Sequence, residues 1–152
     1  MNTVIFDLDG TLALIDDRRA KSLLKNGKMD WDVFFDPDNI KLDKPNMPVI
    51  HMARQLKKTG HNIVIFSGRS DATKDATMDW LDAFRVPFDK LVMRPGTGNM
   101  KFTPDDVLKK MWLDDLLADG ADIVCTFDDR DKVVQMWRDN GITCFQVAPG
   151  DF

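Results

Sequence analysis

An apolar run, Val4-Ile5-Phe6, ends at two aspartates spaced two residues apart, Asp7 and Asp9, and Gly10-Thr11-Leu12-Ala13 follows at once. Side chains alternate faces along a strand, so Asp7 and Asp9 would point the same way. Gly10 permits a sharp turn that brings both carboxylates to the strand's carboxyl end, where open α/β sheets bind ligands. Two carboxylates held that close repel unless a cation or a shared proton relieves them. For hard oxygen ligands the natural cation is Mg²⁺, which takes one or two carboxylates with substrate phosphate and water. The chemistry this pair can run is phosphoryl transfer: one Asp attacks phosphorus to form an aspartyl-phosphate, and the other protonates the leaving oxygen.

Two further strand-like runs end in polar turns. Ile63-Val64-Ile65-Phe66 stops at Ser67-Gly68-Arg69. A hydroxyl and backbone N–H groups at a strand-to-helix turn make a phosphate cradle, and Arg69 adds a fork-shaped donor. Ile123-Val124-Cys125-Thr126-Phe127 stops at Asp128-Asp129-Arg130. A second acidic pair there can complete an octahedral Mg²⁺ shell with Asp7, and Arg130 is expected as a local partner that limits repulsion. His51 and His61 fall at helical and turn positions as exposed or capping residues, and the scheme needs no histidine base.

The elements that must position these groups alternate. β-type runs recur at Val4–Leu8, Ile63–Phe66, Leu91–Met93, Ile123–Phe127 and Thr143–Val147. Between them lie helical faces: Val49, Met52, Ala53 and Leu56; Trp80, Leu81 and Phe84, capped by Ser70; Leu108, Met111 and Trp112, with Thr103 as cap and Pro104 at the first position; and Val133, Met136 and Trp137. This alternation predicts a three-layer α/β fold with a parallel sheet in one domain, residues 1–152. Residues 15–46 break the rhythm with Arg18, Arg19, Lys21, Lys25 and an aromatic cluster at Trp31, Phe34 and Phe35. Some thirty residues can form a small helical cap but hardly a full lid, which would leave the pocket open to a phosphate on something large.

Composition is that of a globular domain, with 43% hydrophobic and 30% charged residues and a net charge of −4, which argues against a broad basic nucleic-acid groove. All 25 acidic residues are Asp; there is no Glu and no Tyr, a bias for which we have no physical account. No apolar run approaches the length of a membrane span, and the opening strand leaves no room for a targeting segment. Cys125 and Cys144 lie in strand-like runs without metal-ligand spacing, as buried thiols of a cytoplasmic protein would.

The Asp7-Leu8-Asp9-Gly10-Thr11 run resembles motif one, D-x-D-G-T, of the haloacid-dehalogenase superfamily phosphatases. That resemblance implies a Rossmann-like fold with a central first strand. It also implies Asp7 as nucleophile and Asp9 as general acid with its backbone carbonyl on Mg²⁺, Asp129 as a direct metal ligand and Asp128 as an indirect one. A lysine should neutralise the phosphorylated Asp, for which Lys109 is the first choice and Lys101 the second. Across most of the chain the sequence is similar to the 3′-phosphatase domain of phage-type polynucleotide kinase/phosphatase. The matching residues are Arg18, Ser67-Gly68-Arg69, the run from Asp128 to Arg138, and the tail Gln146-Val147-Ala148-Pro149-Gly150-Asp151-Phe152. This implies an Mg²⁺-dependent phosphatase acting on nucleic-acid 3′-phosphate ends, with Thr11, Arg18, Ser67, Gly68 and Arg69 at the substrate phosphate and a separate kinase or ligase as partner. A nucleotidase or other small-molecule phosphatase of the same fold is the alternative. No G-x-x-x-x-G-K-[ST] loop occurs, so 5′-phosphorylation is not expected. Ahead of Pro104 this chain has Lys101-Phe102-Thr103 where the family often has an acidic residue and an arginine.

Overall fold

The computed structural model describes residues 1–152. Five strands form one parallel sheet in the order β5-β4-β1-β6-β7: β1 (Asn2–Asp7), β4 (Asn62–Ser70), β5 (Lys90–Arg94), β6 (Asp122–Asp128) and β7 (Cys144–Gln146). A two-residue pair, β2 (Ala13–Leu14) with β3 (Lys44–Pro45), stands apart from it.

The central strands read as continuous apolar runs because both their faces are covered. Alternation along β1 and β4 divides them between two layers. Val4, Phe6, Ile63 and Ile65 pack toward Val49, Ile50 and Ala53 of α3 (Met47–Lys58) and Trp80 and Leu81 of α4 (Lys74–Ala83). Ile5, Val64 and Phe66 pack toward α5 (Asp105–Ala118) and α6 (Asp131–Asp139), through Leu108, Trp112, Leu113, Val133, Val134 and Trp137. Burial of a large apolar side chain is worth about 1.5–3 kcal/mol, so these two faces lock β1 between β4 and β6. Consequently the carboxyl ends of β1, β4 and β6 lie side by side, at the switch point where the chain leaves the central strand in both directions.

Between β2 and β3 run α1 (Asp16–Ser22), α2 (Trp31–Phe34) and a 3-10 turn over Pro37–Leu42. Two expected caps lie elsewhere. Ser70 accepts a bond from Ala72 N, capping a 3-10 turn at Asp71–Thr73 rather than α4 itself. Thr103 is extended, the conformation favoured before proline, and Pro104 occupies the cap position of α5.

Candidate active site

Asp7 is the last residue of β1, and beyond it Gly10 takes φ +84, a left-handed conformation that an L side chain resists. That turn serves a second need: a Cβ on Gly10 would lie 2.0 Å from Asp129 Oδ2. The loop after β1 and the loop after β6 approach so closely that only glycine fits between them. Asp7, Asp128 and Asp129, all buried, place carboxylate oxygens within 4.8 Å of one another.

Lys109 enters this cluster from α5. Lys109 is 2% exposed, and its ammonium donates to Asp7 Oδ1 at 2.8 Å and Asp128 Oδ2 at 2.9 Å. Thr11 Oγ1 donates to the other oxygen of Asp7 at 3.0 Å. Asp128 is saturated: Trp137 Nε1 also donates to Oδ2, and the backbone N–H groups of Asp129 and Arg130 donate to Oδ1. Asp128 thereby holds the Lys109 ammonium in place, while the carboxylate of Asp129 has only the Thr11 hydroxyl as a donor near it, 3.5 Å from Oδ1. Of the two lysines considered, only Lys109 reaches the acids; Lys101 is exposed, with its ammonium over the Phe102 ring.

Burial pushes the Asp7 carboxyl well above the usual carboxylate range, and repulsion from Asp128 and Asp129 adds to this against the pull of Lys109. Asp129 is raised for the same main reason, burial. Burial disfavours the Lys109 ammonium, but Asp128 and Asp7 outweigh it and hold the lysine protonated. Three carboxylates face one ammonium, so the cluster lacks two positive charges, the amount a divalent cation supplies. Hard oxygen donors with that deficit fit Mg²⁺.

Asp9 faces the other way, toward two guanidiniums. Its Oδ1 accepts from Arg18 Nη2 at 2.8 Å and from Arg69 Nε at 3.0 Å and Nη2 at 2.5 Å. Burial alone would raise Asp9, but Arg69 and Arg18 together hold it below the ordinary carboxylate range. The side chains of Arg18 and Arg69 are fully closed to solvent. Both are engaged with Asp9 and with Asp43. Thr11 likewise turns its hydroxyl to Asp7. At the β4 turn, Ser67 Oγ accepts from Arg69 N, and the Gly68 carbonyl accepts from Arg94 Nε.

Three groups escaped the sequence reading. Asp43, at the end of the 3-10 turn, is buried and bonded to both Arg18 and Arg69. Arg94 joins the Gly68 carbonyl to Asp105, whose second oxygen takes Arg130 at 3.1 Å. Arg130 thus partners Asp105 rather than the side chains of Asp128 and Asp129. The indole of Trp137, read only as core, is a donor to Asp128. None of these pairings has a local signature, since the partners are 9 to 26 positions apart.

The tail closes behind the β6 loop. Gly150 O accepts from Asp131 N, and Gln146 Nε2 donates to Asp129 O. A Cβ on Gly150 would meet Asp129 O at 1.8 Å. We expect Gly150→Ala to displace the tail or Asp129, at a cost of about 1–3 kcal/mol for overpacking. Thermal melts with and without Mg²⁺ check this: the variant should melt lower and gain less from the ion than wild type.

A family model for the polynucleotide kinase PNKP phosphatase domain matches residues 1–152. A bifunctional polynucleotide kinase/RNA ligase of Autographa californica nuclear polyhedrosis virus is 32% identical over 149 residues, covering 95% of this chain and 19% of that protein. Among solved structures, a chain of the Pnkp1/Rnl/Hen1 complex superposes with TM-score 0.76 at 29% identity, over 99% of this chain and 47% of that one. The class C acid phosphatase of Bacillus anthracis shares the fold, with TM-score 0.67 at 21% identity over 99% of this chain and 66% of that one. The chain thus spans less than half the length of the first two relatives. With the phosphatase-domain model matching its whole length, the chain belongs to the haloacid-dehalogenase family of phosphatases, as a polynucleotide kinase phosphatase domain.

Proposed function

We propose that this phosphatase removes the 3′-phosphate from polynucleotide ends through an aspartyl-phosphate on Asp7. The observation that carries the chemistry is the division of labour between the two motif-one acids. Asp7 sits among Lys109, Thr11 and Asp129, while Asp9 has one oxygen clamped by arginines and receives no bond on the other. In this reading Asp7 attacks phosphorus, and the free Oδ2 of Asp9 protonates the leaving 3′-oxygen. The arginines keep Asp9 ionised before substrate arrives; an incoming phosphate dianion adds like charge and raises its proton affinity, so that Asp9 takes up from solvent the proton it then passes to the leaving oxygen. Asp9 then takes the proton of the water that releases phosphate from Asp7. Asp7 and Asp129 would hold Mg²⁺ together with the Asp9 backbone carbonyl, and the ion would supply positive charge to the transferring group. Ser67 and the N–H groups of its turn remain the candidate cradle for the phosphoryl oxygens, with Lys109 opposite.

The substrate class rests on the family match along the whole chain and on a viral relative whose name pairs a polynucleotide kinase with an RNA ligase. It also rests on the similarity to a chain of the Pnkp1/Rnl/Hen1 RNA repair complex. A separate kinase and ligase acting on the same ends are the partners this implies. Residues 15–46 would serve as a small cap that leaves Asp9 partly exposed, with room for a strand rather than a free sugar phosphate.

Phosphate release with Mg²⁺ from a 3′-phosphorylated oligonucleotide, compared with the 3′-mononucleotide, tests the substrate. We expect kcat/KM about tenfold or more in favour of the oligonucleotide, the scale of one extra stacked base or backbone contact. Equal or greater efficiency on the mononucleotide would favour the nucleotidase alternative.

A further inference from the structure

Four charged side chains from four separate stretches of chain close on one another behind the site. Asp9 comes from the loop after β1, Arg18 from α1, Asp43 from the exit of the 3-10 turn, and Arg69 from β4. The quartet is electroneutral, and three of its members are fully buried; only Asp9 reaches solvent. Asp43 has no place in the chemistry described so far. Its Oδ1 accepts from Arg18 Nε at 3.0 Å and its Oδ2 from Arg69 Nη2 at 2.8 Å, while its backbone carbonyl is fixed by Trp80 Nε1 at 3.0 Å.

We propose that Asp43 is a positioning residue for the general acid: it takes part of each guanidinium so that the donors left over converge on a single oxygen of Asp9. The inference rests on Asp9 as the proton donor. A guanidinium and a carboxylate left to themselves prefer a two-point fork that engages both oxygens. Here the Nε–Nη2 edge of Arg18 is split, with Nε on Asp43 and Nη2 on Asp9. Arg69 Nη2 is shared between the two carboxylates, and Arg69 Nε falls on the same Asp9 oxygen. The remaining donors are anchored elsewhere, Arg18 Nη1 on Phe34 O and Arg69 Nη1 on Thr77 Oγ1. All three bonds to Asp9 therefore land on Oδ1 and none on Oδ2. Without the Asp43 carboxylate, either arginine can turn its full edge onto Asp9 and occupy the oxygen that must transfer the proton. Arg18 and Asp43 bracket the stretch that holds α2, so the folding of that segment would set the aim of the acid.

The test uses leaving groups that differ in their need for a proton. An alkyl ester needs protonation of its leaving oxygen, whereas p-nitrophenolate leaves without it. The constant kcat/KM reports steps up to phosphoenzyme formation, so it isolates the acid from later water attack. We expect Asp43→Asn to lower kcat/KM about 100-fold on a 3′-phosphorylated oligonucleotide and on a 3′-mononucleotide, and under about threefold on p-nitrophenyl phosphate, as loss of general-acid help dictates. Equal falls on alkyl and aryl esters, or no fall on either, would overturn the proposal. Aryl phosphatase activity doubles as the check on folding. If Asp43→Asn does not fold, Thr77→Val removes an anchor of Arg69 without leaving an uncompensated charge. It should show the same selective loss at about tenfold, and an unselective loss or none counts against the idea. The substrate reading fails independently, when wild type prefers the mononucleotide, because the alkyl-to-aryl comparison does not depend on which alkyl ester is better.

Discussion

Asp7→Asn is expected to lower turnover by about 10⁵-fold or more, the scale on which removal of a nucleophile acts, and to leave the fold intact. Asparagine keeps the oxygen that accepts from Lys109 but cannot form the acyl phosphate. The stability effect has a definite sign. Asp7 has a folded-state proton affinity above the usual range, mainly from burial, so its ionisation at neutral pH works against the fold, and that cost grows as pH rises past the ordinary carboxylate range. A neutral side chain removes it. Metal-free Asp7→Asn should therefore melt at or above the wild-type temperature at pH 7, with the advantage shrinking toward pH 4. Its gain from Mg²⁺ should be smaller than that of wild type. Steady-state rates and melts across that pH range check both halves. Residual turnover near wild type would remove Asp7 from the nucleophile's role.

Lys109→Met is expected to be the most destabilising substitution in the site. It leaves Asp7, Asp128 and Asp129 facing one another without the ammonium that now bonds two of them. Removing one partner of a buried ion pair costs about 3–5 kcal/mol, a large share of the stability of a domain this size. A divalent ion should restore more stability to this variant than to wild type, because it meets a greater charge deficit. Turnover should stay low even so, since the ion cannot replace an ammonium aimed by Asp128. Denaturant melts with and without Mg²⁺ measure the first effect, and rates at saturating Mg²⁺ the second.

The strand ends were readable because the chain writes them plainly. At Phe6-Asp7 a run buried on both faces stops at a carboxylate, at Phe127-Asp128 the buried end of β6 does the same, and parallel sheets put such ends together. Gly10 was readable as a turn; that it also makes room for Asp129 follows only from the approach of two loops. Lys109 is one of several lysines in helical patterns and stood out by resemblance rather than by spacing. Arg18 and Arg69 stand out in the sequence as candidates for the substrate phosphate, but their bonds to Asp9 and Asp43 carry no sequence signal. Neither Asp43 nor the Arg94–Asp105–Arg130 chain has a pattern to betray it, because each bond joins segments brought together by the fold. Asp105 looked like an ordinary acidic first turn of α5, which it also is. Asp-rich composition hid these roles further, since most Asp residues here are exposed and do nothing comparable.

The proposed convergence of β1 and β6 on one divalent ion can be tested directly. Crystals soaked in Mn²⁺ should give a single anomalous peak in this region, within about 2.5 Å of carboxylate oxygens of both Asp7 and Asp129, the upper range for hard-cation ligands. The peak should disappear in Asp129→Asn while the Lys109–Asp7 bond persists. A peak remote from either carboxylate, or full phosphatase activity in the presence of a chelator, would contradict the account.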